Sequence, residues 1–199
     1  MNIKQVLVKR SFDFTLSVIG LAVASPIIIL SWLVASVETR SNGLFFQKRV
    51  GRNKKIFILV KIKTMKPVLG INTNVTKSND ARITKSGALF RNAKIDELPQ
   101  LWNVLLGQMS FVGPRPDVEG YADRLIGTDN LILSVRPGIT GPASLKYKNE
   151  EDLLMKQVNP EQYNNDVIWP DKVQINIEYV NNWSFIKDLN YIYQTVKGV

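Results

Sequence analysis

The 199-residue sequence contains no cysteine and no histidine. Without cysteine the chain can form neither disulfides nor thiolate metal sites. Without histidine it lacks the usual general base, the Ser-His-Asp arrangement and most transition-metal sites. Acid–base or nucleophilic chemistry must therefore use Asp, Glu, Lys, Tyr or Ser. A bound metal is expected to be a hard cation held by oxygen, and Mg²⁺ is the usual choice beside phosphates.

Acidic residues are scarce in one part of the chain, and the formal net charge is +9. Residues 40–100 hold 14 Lys or Arg against three acids, whereas 12 acids face eight bases from Asp117 onward. Such a concentration of positive charge predicts an anionic partner, either phosphate groups, acidic lipid headgroups or nucleic acid.

Charge is absent altogether from residues 14–37, a run of 24 residues. A helix of that length is about 36 Å long, enough to cross a hydrocarbon core. Basic residues flank both ends, so the positive-inside rule gives no single orientation. Pro26, at the middle, is expected to bend or break the helix, and the Ser25 hydroxyl can satisfy a carbonyl that proline frees. The run is predicted either to span the membrane or to enter and leave on one face.

The remainder predicts a compact, mainly helical domain of the α/β (α+β) class. Residues 44–50 and 56–63 have the pattern of two strands around a Gly51-Arg52-Asn53 turn, which predicts a β-hairpin. We expect a polar loop at 67–81 and short helices near 117–126, 149–158 and 171–182. The segment SFIKDLNYIYQTV predicts a further amphipathic helix, whose apolar face is either core, the preferred interpretation, or membrane surface. We therefore divide the chain into a membrane segment, 1–39, and a folded domain with interfacial amphipathic helices, 40–199.

The stretch FRNAKIDELPQLWNVLLG places two adjacent carboxylates, Asp96 and Glu97, after the cations Arg91 and Lys94. An apolar pattern of helical spacing follows, with Asp96 a good N-cap and Gly107 suited to the C-terminal end. The positive pole of the helix and the two cations should keep both carboxylates ionised and attract a phosphate. Asp96 is then a candidate nucleophile and Glu97 a candidate Mg²⁺ ligand. The alternative is ordinary helix capping.

Two arginines lie beside prolines. SFVGPRPD holds Arg115 between two prolines, and SVRPGITG places Arg136 before a proline and two glycines. Fixed φ angles present a guanidinium with little entropy to lose, which suits bidentate phosphate binding. The glycines allow close approach of the backbone to a ligand, although a rigid turn or a plain loop would have the same pattern.

The segments KRSFD…SP, VKIKTM, ARITKSGALFRNAKIDELPQLWNVLLGQMSFVGPRP and VRPGITG, in this order and spacing, resemble the monotopic phosphoglycosyl transferases. These are small bacterial sugar transferases that begin glycoconjugate assembly, and the resemblance covers nearly the whole chain. It implies transfer of a sugar-1-phosphate from a UDP-sugar to undecaprenyl phosphate, with release of UMP. It also implies a requirement for Mg²⁺ and ping-pong kinetics through a covalent phosphosugar on an aspartate.

Carried onto this chain, the resemblance makes Asp96 the nucleophile and Glu97 its partner, with both residues at the metal. It places phosphate-contacting cations at Lys61, Arg91 and Arg115, and Arg136 is a candidate for the nucleotide. A re-entrant helix broken at Ser25 and Pro26 is implied, with both ends on the cytoplasmic face of the bacterial inner membrane. Membrane phospholipids and downstream glycosyltransferases are the further expected partners, and nucleic acid is not expected.

One segment departs from the resemblance. After ITG many relatives continue with Trp-Ala-Gln and an Asn-Gly-Arg stretch, whereas this chain reads GPASLKYKNEED, which leaves the donor sugar open. The alternative from another class is a membrane-anchored basic module that binds acidic lipid or RNA without catalysis. RNA binding would use aromatic residues between the cations. Here Phe45, Phe46 and Phe57 fit the hairpin core better.

Overall fold

The structure, a computed structural model, describes residues 1–66 and 80–198. Most of the polar loop expected at 67–81 lies outside the described residues. Within them the fold is mixed, with helices around two small sheets, in agreement with the predicted class. The proposed division at residue 39 stays a prediction.

Helix α1 runs without interruption over Ile3–Thr39, and by length and composition it could cross a membrane. Pro26 has no N–H to donate to the Ala22 carbonyl, and the Ser25 hydroxyl donates to it instead (3.0 Å). The predicted role of Ser25 is thus confirmed. The predicted break of the helix at Ser25-Pro26 is wrong, because the backbone stays helical through both residues. The reason is that proline φ fits a helix and the freed carbonyl has another donor.

Strands β1 (Leu44–Val50) and β2 (Ile56–Ile62) pair antiparallel, with Leu44 opposite Ile62. The predicted hairpin is confirmed. Its turn contains two residues with positive φ, Asn53 and Lys54. Phe57 is buried, but Phe45 and Phe46 are exposed, so their assignment to the hairpin core was wrong.

Helix α2 (Lys85–Asn92), a 3₁₀ turn (Ile95–Glu97) and α3 (Gln100–Leu105) follow the hairpin. The Thr84 hydroxyl caps α2 by accepting from the Gly87 N–H (3.0 Å). The chain leaves α3 through Gly107 at φ +75°, as predicted.

Strands β3 (Ser110–Val112) and β4 (Gly138–Thr140) form a small parallel pair. The connection between them contains two 3₁₀ segments, Ala122–Arg124 and Gly127–Ser134. Of the short helix predicted near 117–126, only the 3₁₀ turn Ala122–Arg124 is present. Glycine at 120, with φ +104°, interrupts the segment in which the helix was expected.

The C-terminal third is helical, and the helices predicted near 149–158, 171–182 and 184–196 are confirmed. Its elements are α4 (Pro142–Lys146), α5 (Glu150–Met155), α6 (Pro160–Tyr163), a π turn (Asn164–Ile168), α7 (Trp169–Asn181) and α8 (Phe185–Lys197). On the apolar face of α8, Ile186, Leu189, Tyr193 and Val196 are exposed, while Phe185 and Ile192 pack into the core. The preferred core interpretation is thus wrong for most of this face.

A buried polar cluster joins α1 to the C-terminal helices. Lys9 Nζ lies 2.5 Å from Asp188 Oδ2. Tyr179 donates to Asp188 Oδ1 (2.8 Å), and Trp183 Nε1 donates to Asp188 Oδ2 (2.9 Å). The first turns of the chain are therefore fixed to its last helix.

Candidate active site

The two adjacent carboxylates, here called the dyad, lie in the turn between α2 and α3. Lys94 takes a left-handed conformation (φ 57°) where α2 ends, and the 3₁₀ turn that follows places Asp96 and Glu97 against β2. The predicted N-cap role of Asp96 is wrong, because α3 begins at Gln100, after Pro99.

Glu97 is held by two cations from distant parts of the chain. Lys61 Nζ, from β2, and Arg115 Nη2, after β3, each lie 3.0 Å from Glu97 Oε1. Burial would raise the pKa of Glu97, but the charges and hydrogen bonds of Arg115 and Lys61 outweigh it and lower that pKa. Burial also lowers the pKa of Lys61, although Glu97 opposes this shift. Glu97 is thus held ionised, as the sequence predicted.

Asp96 differs from its neighbour. Its side chain is buried, and Oδ1 accepts no hydrogen bond within the described residues. Burial and the charge of Glu97 raise the pKa of Asp96, and the nearby cations Lys61, Lys94 and Arg91 offset this only in part. Desolvation therefore outweighs the effect of the positive charge that was expected to keep Asp96 ionised. Asp96 therefore keeps unshared electron pairs available for a ligand.

Asn103 connects α3 to β2 and thereby fixes the dyad relative to Lys61. Its side chain is buried; Oδ1 accepts from the Val60 N–H (3.1 Å) and Nδ2 donates to the Ile58 carbonyl (2.7 Å). This amide takes the place of a third strand at the edge of the hairpin. Because Lys61 follows Val60 and the dyad precedes α3, the same contact places both.

Arg49 supports Arg115 and was not identified from the sequence. Its Nη1 donates to the Pro116 carbonyl (3.1 Å) and its Nη2 to Gln47 Oε1 (2.7 Å), while its buried Nε has no partner among the described residues. No local pattern distinguishes Arg49 from Lys48, because its contact lies 67 residues along the chain.

Further charged residues extend the site from Arg115 toward α5 and α7, and the sequence did not reveal them either. Lys172 Nζ lies 2.6 Å from Glu150 Oε2. Burial raises the pKa of Asp117 to about 6, against the charges of Lys172, Arg49 and Arg115. The chain therefore places both signs of charge beside the dyad.

The two remaining predicted cations differ in position. Arg91 Nη2 forms an ion pair with Glu151 Oε1 (2.8 Å) at the exposed start of α5, and its charge still acts on Asp96. Arg136 Nε donates to the Gly107 carbonyl (2.7 Å), at the far end of α3. The structure thus brings Lys61, Arg91 and Arg115 to the dyad, and it does not bring Arg136 there.

The glycines of the two proline–arginine segments face the protein's own backbone. A Cβ on Gly138 would lie 2.1 Å from the Gly113 nitrogen, and one on Gly141 would lie 2.4 Å from the Gly113 oxygen. The close approach predicted here was to a ligand, whereas these glycines approach another segment of the chain. The contact packs the segment that carries Arg115 against β4.

A metal would have to share the dyad with substrate. In the part of the chain that the structure describes, no group of three or more His, Cys, Asp or Glu side chains is placed so that it could hold a metal ion. Within the described residues, neither Asp96 Oδ1 nor Glu97 Oε2 accepts a hydrogen bond. Mg²⁺ is commonly held by one or two carboxylates together with phosphate oxygens and water. Asp96 and Glu97 therefore fit an ion that binds with a phosphorylated substrate.

Comparison with known proteins matches residues 4–199 to the bacterial sugar transferase family. The uncharacterized sugar transferase EpsL of Bacillus subtilis is 35% identical over 97% of this chain and 87% of its own length. The undecaprenyl-phosphate galactose phosphotransferase of Salmonella typhimurium is 33% identical, with 96% of this chain and 40% of its own length covered. The UDP-glucose:undecaprenyl-phosphate glucose-1-phosphate transferase of Escherichia coli is also 33% identical, over 96% and 39%.

The match to the family extends over almost the whole chain, and it includes the hairpin, the dyad and both proline–arginine segments. An enzyme of this kind accounts for the buried, unpaired Asp96, for which a non-catalytic basic module has no use. The chain belongs to the bacterial sugar transferase family and is an enzyme, a phosphoglycosyl transferase.

Proposed function

We propose that this enzyme transfers a sugar-1-phosphate from a UDP-sugar to undecaprenyl phosphate through a covalent intermediate on Asp96. The observation that carries the proposal is the Asp96 carboxylate, which is buried beside cations and whose Oδ1 has no hydrogen-bond donor in the described residues. The names of the Salmonella and Escherichia coli relatives support the acceptor and the type of reaction.

The reaction consists of two displacements at one phosphorus atom. An Asp96 oxygen attacks the β-phosphorus of the donor, the bond from that phosphorus to the bridging oxygen breaks, and UMP leaves with the oxygen. A phosphate oxygen of undecaprenyl phosphate then attacks the same phosphorus, and Asp96 leaves as a carboxylate. One compact site thus serves a soluble and a lipid substrate in turn.

The neighbouring residues handle charge. Lys61 and Arg115, which both bind Glu97 Oε1, lie where they can also balance the donor diphosphate, and Arg91 adds a cation at the rim. Mg²⁺, when bound by Asp96, Glu97 and phosphate oxygens, would reduce the repulsion between carboxylate and phosphate. Ionised Glu97 also keeps Lys61 and Arg115 oriented toward the site before substrate arrives.

The test is UMP release by the purified enzyme with a panel of UDP-sugars, with and without undecaprenyl phosphate and Mg²⁺. Relatives of equal identity are named for galactose and for glucose, so the panel also identifies the sugar. With donor alone, we expect the intact mass of the wild type to increase by one phosphosugar, and Asp96→Asn to show neither the increase nor UMP release. A phosphosugar on another residue, or turnover by Asp96→Asn, would overturn the assignment.

We also propose that α1 is re-entrant and that both of its ends lie on the cytoplasmic side of the inner membrane. Residues on both sides of Pro26 contact the same domain: Gly20 lies against Leu101, and Ile28 packs against the cluster that contains Ile62 and Phe90. The interval between those contacts, 21–27, is only about 11 Å of helix, against the roughly 30 Å that spanning requires. A bend at Pro26, where one backbone hydrogen bond is missing, would let the middle of α1 enter the membrane.

Tags at the two termini distinguish the topologies. In intact cells we expect reagents added from outside to label neither tag, and both tags to react after permeabilisation. Labelling of the N-terminal tag alone from outside would mean that α1 spans the membrane. A periplasmic protein with the same tag serves as the positive control for labelling.

A further inference from the structure

A second group of cations surrounds a cavity of about 400 Å³ on the side of the molecule where α1 begins. The cavity lies between the first turns of α1, the hairpin turn, the segment before β4 and the end of α7. Its charged lining residues are Lys9, Asp13, Arg52 and Arg136. Nothing in the reaction proposed above uses it.

Part of this charge is already paired. Lys9 binds Asp188, and Asp13 Oδ1 accepts from Ser110 Oγ and the Phe111 N–H (both 3.1 Å). Asp13 is nevertheless a lining residue whose buried Oδ2 has no partner in the described chain. The cavity therefore contains one unused buried acceptor.

The arginines have unused donors. Arg136 uses Nε for Gly107, and neither its Nη atoms nor the exposed Arg52 guanidinium takes part in a side-chain hydrogen bond within residues 1–66 and 80–198. Arg10 lies close by, with its Nη atoms on the Val104 and Leu105 carbonyls (2.7 and 2.8 Å). None of these three arginines forms a salt bridge with a described residue.

The three guanidinium groups act on one another. After burial, the charges of Arg10 and Arg52 are the main causes that lower the pKa of Arg136, and Asp13 is the carboxylate that opposes them. Arg52 and Arg136 thus line the cavity together with Asp13, and Arg10 adds a third positive charge close by. Such a surplus favours a bound anion, and guanidinium groups suit phosphate in particular because they bind it in a bidentate manner.

We propose that this cavity binds the headgroup of an anionic phospholipid, with its phosphodiester on Arg52 and Arg136 and a headgroup hydroxyl donating to Asp13 Oδ2. A lipid is favoured over a soluble phosphate because Val6 of α1 lines the cavity while its helix neighbours Ile3 and Leu7 expose apolar side chains. The acyl chains would lie along that apolar helix, and the headgroup would be fixed at the protein surface.

The experiment uses the full chain in detergent, with dihexanoyl phosphatidylglycerol as the probe and native mass spectrometry as the measure of its apparent Kd. We expect Arg52→Glu to weaken binding at least about tenfold. Lys55→Glu makes the same charge change on the same hairpin turn, away from the cavity, and is expected to change binding less than about twofold. Arg52→Lys should recover part of the affinity.

The controls decide between sources of the anion. Dihexanoyl phosphatidylcholine, which has no headgroup hydroxyl and no net charge, should bind at least about tenfold more weakly than phosphatidylglycerol. Equal loss of binding in Arg52→Glu and Lys55→Glu would overturn the site, since it would show a general effect of charge. Inorganic phosphate and the free, water-soluble headgroup of phosphatidylglycerol are compared as competitors of the bound lipid. If both displaced the lipid at the same concentration, the assignment to a lipid would be overturned.

Discussion

At the scale of single residues, the two adjacent carboxylates of the dyad differ in their partners: one is paired with cations and the other has an oxygen without a hydrogen-bond donor. Glu97 is partly buried with two cations on one oxygen, whereas Asp96 is buried with its Oδ1 unsatisfied. An unsatisfied buried acceptor costs stability, so its persistence at this position indicates a functional use.

The first prediction concerns stability. The pKa of Asp96 is raised in the folded state, so its contribution to stability is greatest below the ordinary Asp pKa and is lost as the pH rises through the raised value. Asp96→Asn removes that titration. We expect it to raise the Tm at pH 8 by roughly 2–4 °C, the shift that about 1 kcal/mol produces in a chain of this size.

Thermal unfolding of both proteins from pH 3 to pH 8 is the measurement. The difference in Tm should narrow as the pH falls below the ordinary Asp pKa, because there Asp96 is protonated in both the folded and the unfolded state. UMP release by the wild type should decrease as the pH falls through the same raised pKa, because a protonated carboxyl is not a nucleophile. A lower Tm for Asp96→Asn at pH 8 would contradict the prediction.

The second prediction concerns Arg49, whose fork holds the Pro116 carbonyl behind Arg115. Arg49→Lys keeps the charge but cannot make both hydrogen bonds, so Arg115 should lose its fixed position on Glu97. We expect kcat to fall about 10- to 100-fold, the effect of small misplacement at a reacting centre. The neighbouring exposed Lys48 provides the control, and Lys48→Gln should leave kcat within about twofold. An unchanged kcat in Arg49→Lys would show that Arg115 is placed by its prolines alone.

How much of the site the sequence could reveal depends on how far apart the contacting residues lie along the chain. The adjacent carboxylates and the proline-flanked Arg115 are local patterns, and they were found. The partners of Glu97 lie 36 and 18 residues away, and Arg49 lies 67 residues from its carbonyl partner. Such pairs depend on strand register and loop crossings, which no local pattern determines. Lys61 was assigned through the resemblance for the same reason.

At the scale of elements, elements with a local signal were predicted and those that depend on tertiary contacts were not. The hairpin has alternating polar and apolar residues around a turn, and α7 and α8 have helical periodicity, so each of these elements was predicted. Helix α2 is short and exposes Leu89, so its apolar pattern is weak. The pair β3–β4 has three residues in each strand and joins segments far apart in the chain. In 117–126 only a 3₁₀ turn forms after Gly120, which has a positive φ.

The third prediction belongs to the contact between α3 and β2. Asn103→Asp is isosteric but replaces a donor by an acceptor opposite the Ile58 carbonyl, and it also loses the hydrogen bond to Gln108. We expect a loss of about 3 kcal/mol, the cost of leaving buried polar groups unpaired. Urea unfolding followed by circular dichroism measures it.

The control is the same chemical change at an exposed position of α8, Asn190→Asp, which should alter stability by less than about 0.5 kcal/mol. Asn103→Asp should also weaken the Lys61–Glu97 contact, because the amide fixes both of their elements. UMP release should therefore fall even at temperatures where the variant remains folded. A variant as stable and as active as the control would show that the hairpin and α3 need no such clamp.

At the scale of the whole molecule, α1 belongs to the same folded unit as the catalytic elements. It contacts α2, α3 and both sheets, and through Lys9 it reaches Asp188 near the other end of the sequence. The length and apolar composition of α1 could be read from the sequence. The packing of α1 against the domain could not be read from the sequence, because Lys9 and Asp188 are 179 residues apart. An anchor attached only by a linker would show no such contacts.

The fourth prediction tests whether α1 and the catalytic elements fold as one unit. Breaking a buried ion pair from one side leaves an unpaired buried charge, so Lys9→Met should cost about 3–5 kcal/mol. Replacing both partners, Lys9→Met with Asp188→Leu, should recover much of the loss even though Tyr179 and Trp183 then lack their acceptor. Unfolding of single and double variants in the same detergent gives the coupling energy between them. If α1 were an independent anchor, Lys9→Met would leave the unfolding of the catalytic domain unchanged and the coupling would be near zero. A coupling of several kcal/mol would instead mean that docking of the membrane helix and folding of the active-site domain are one transition.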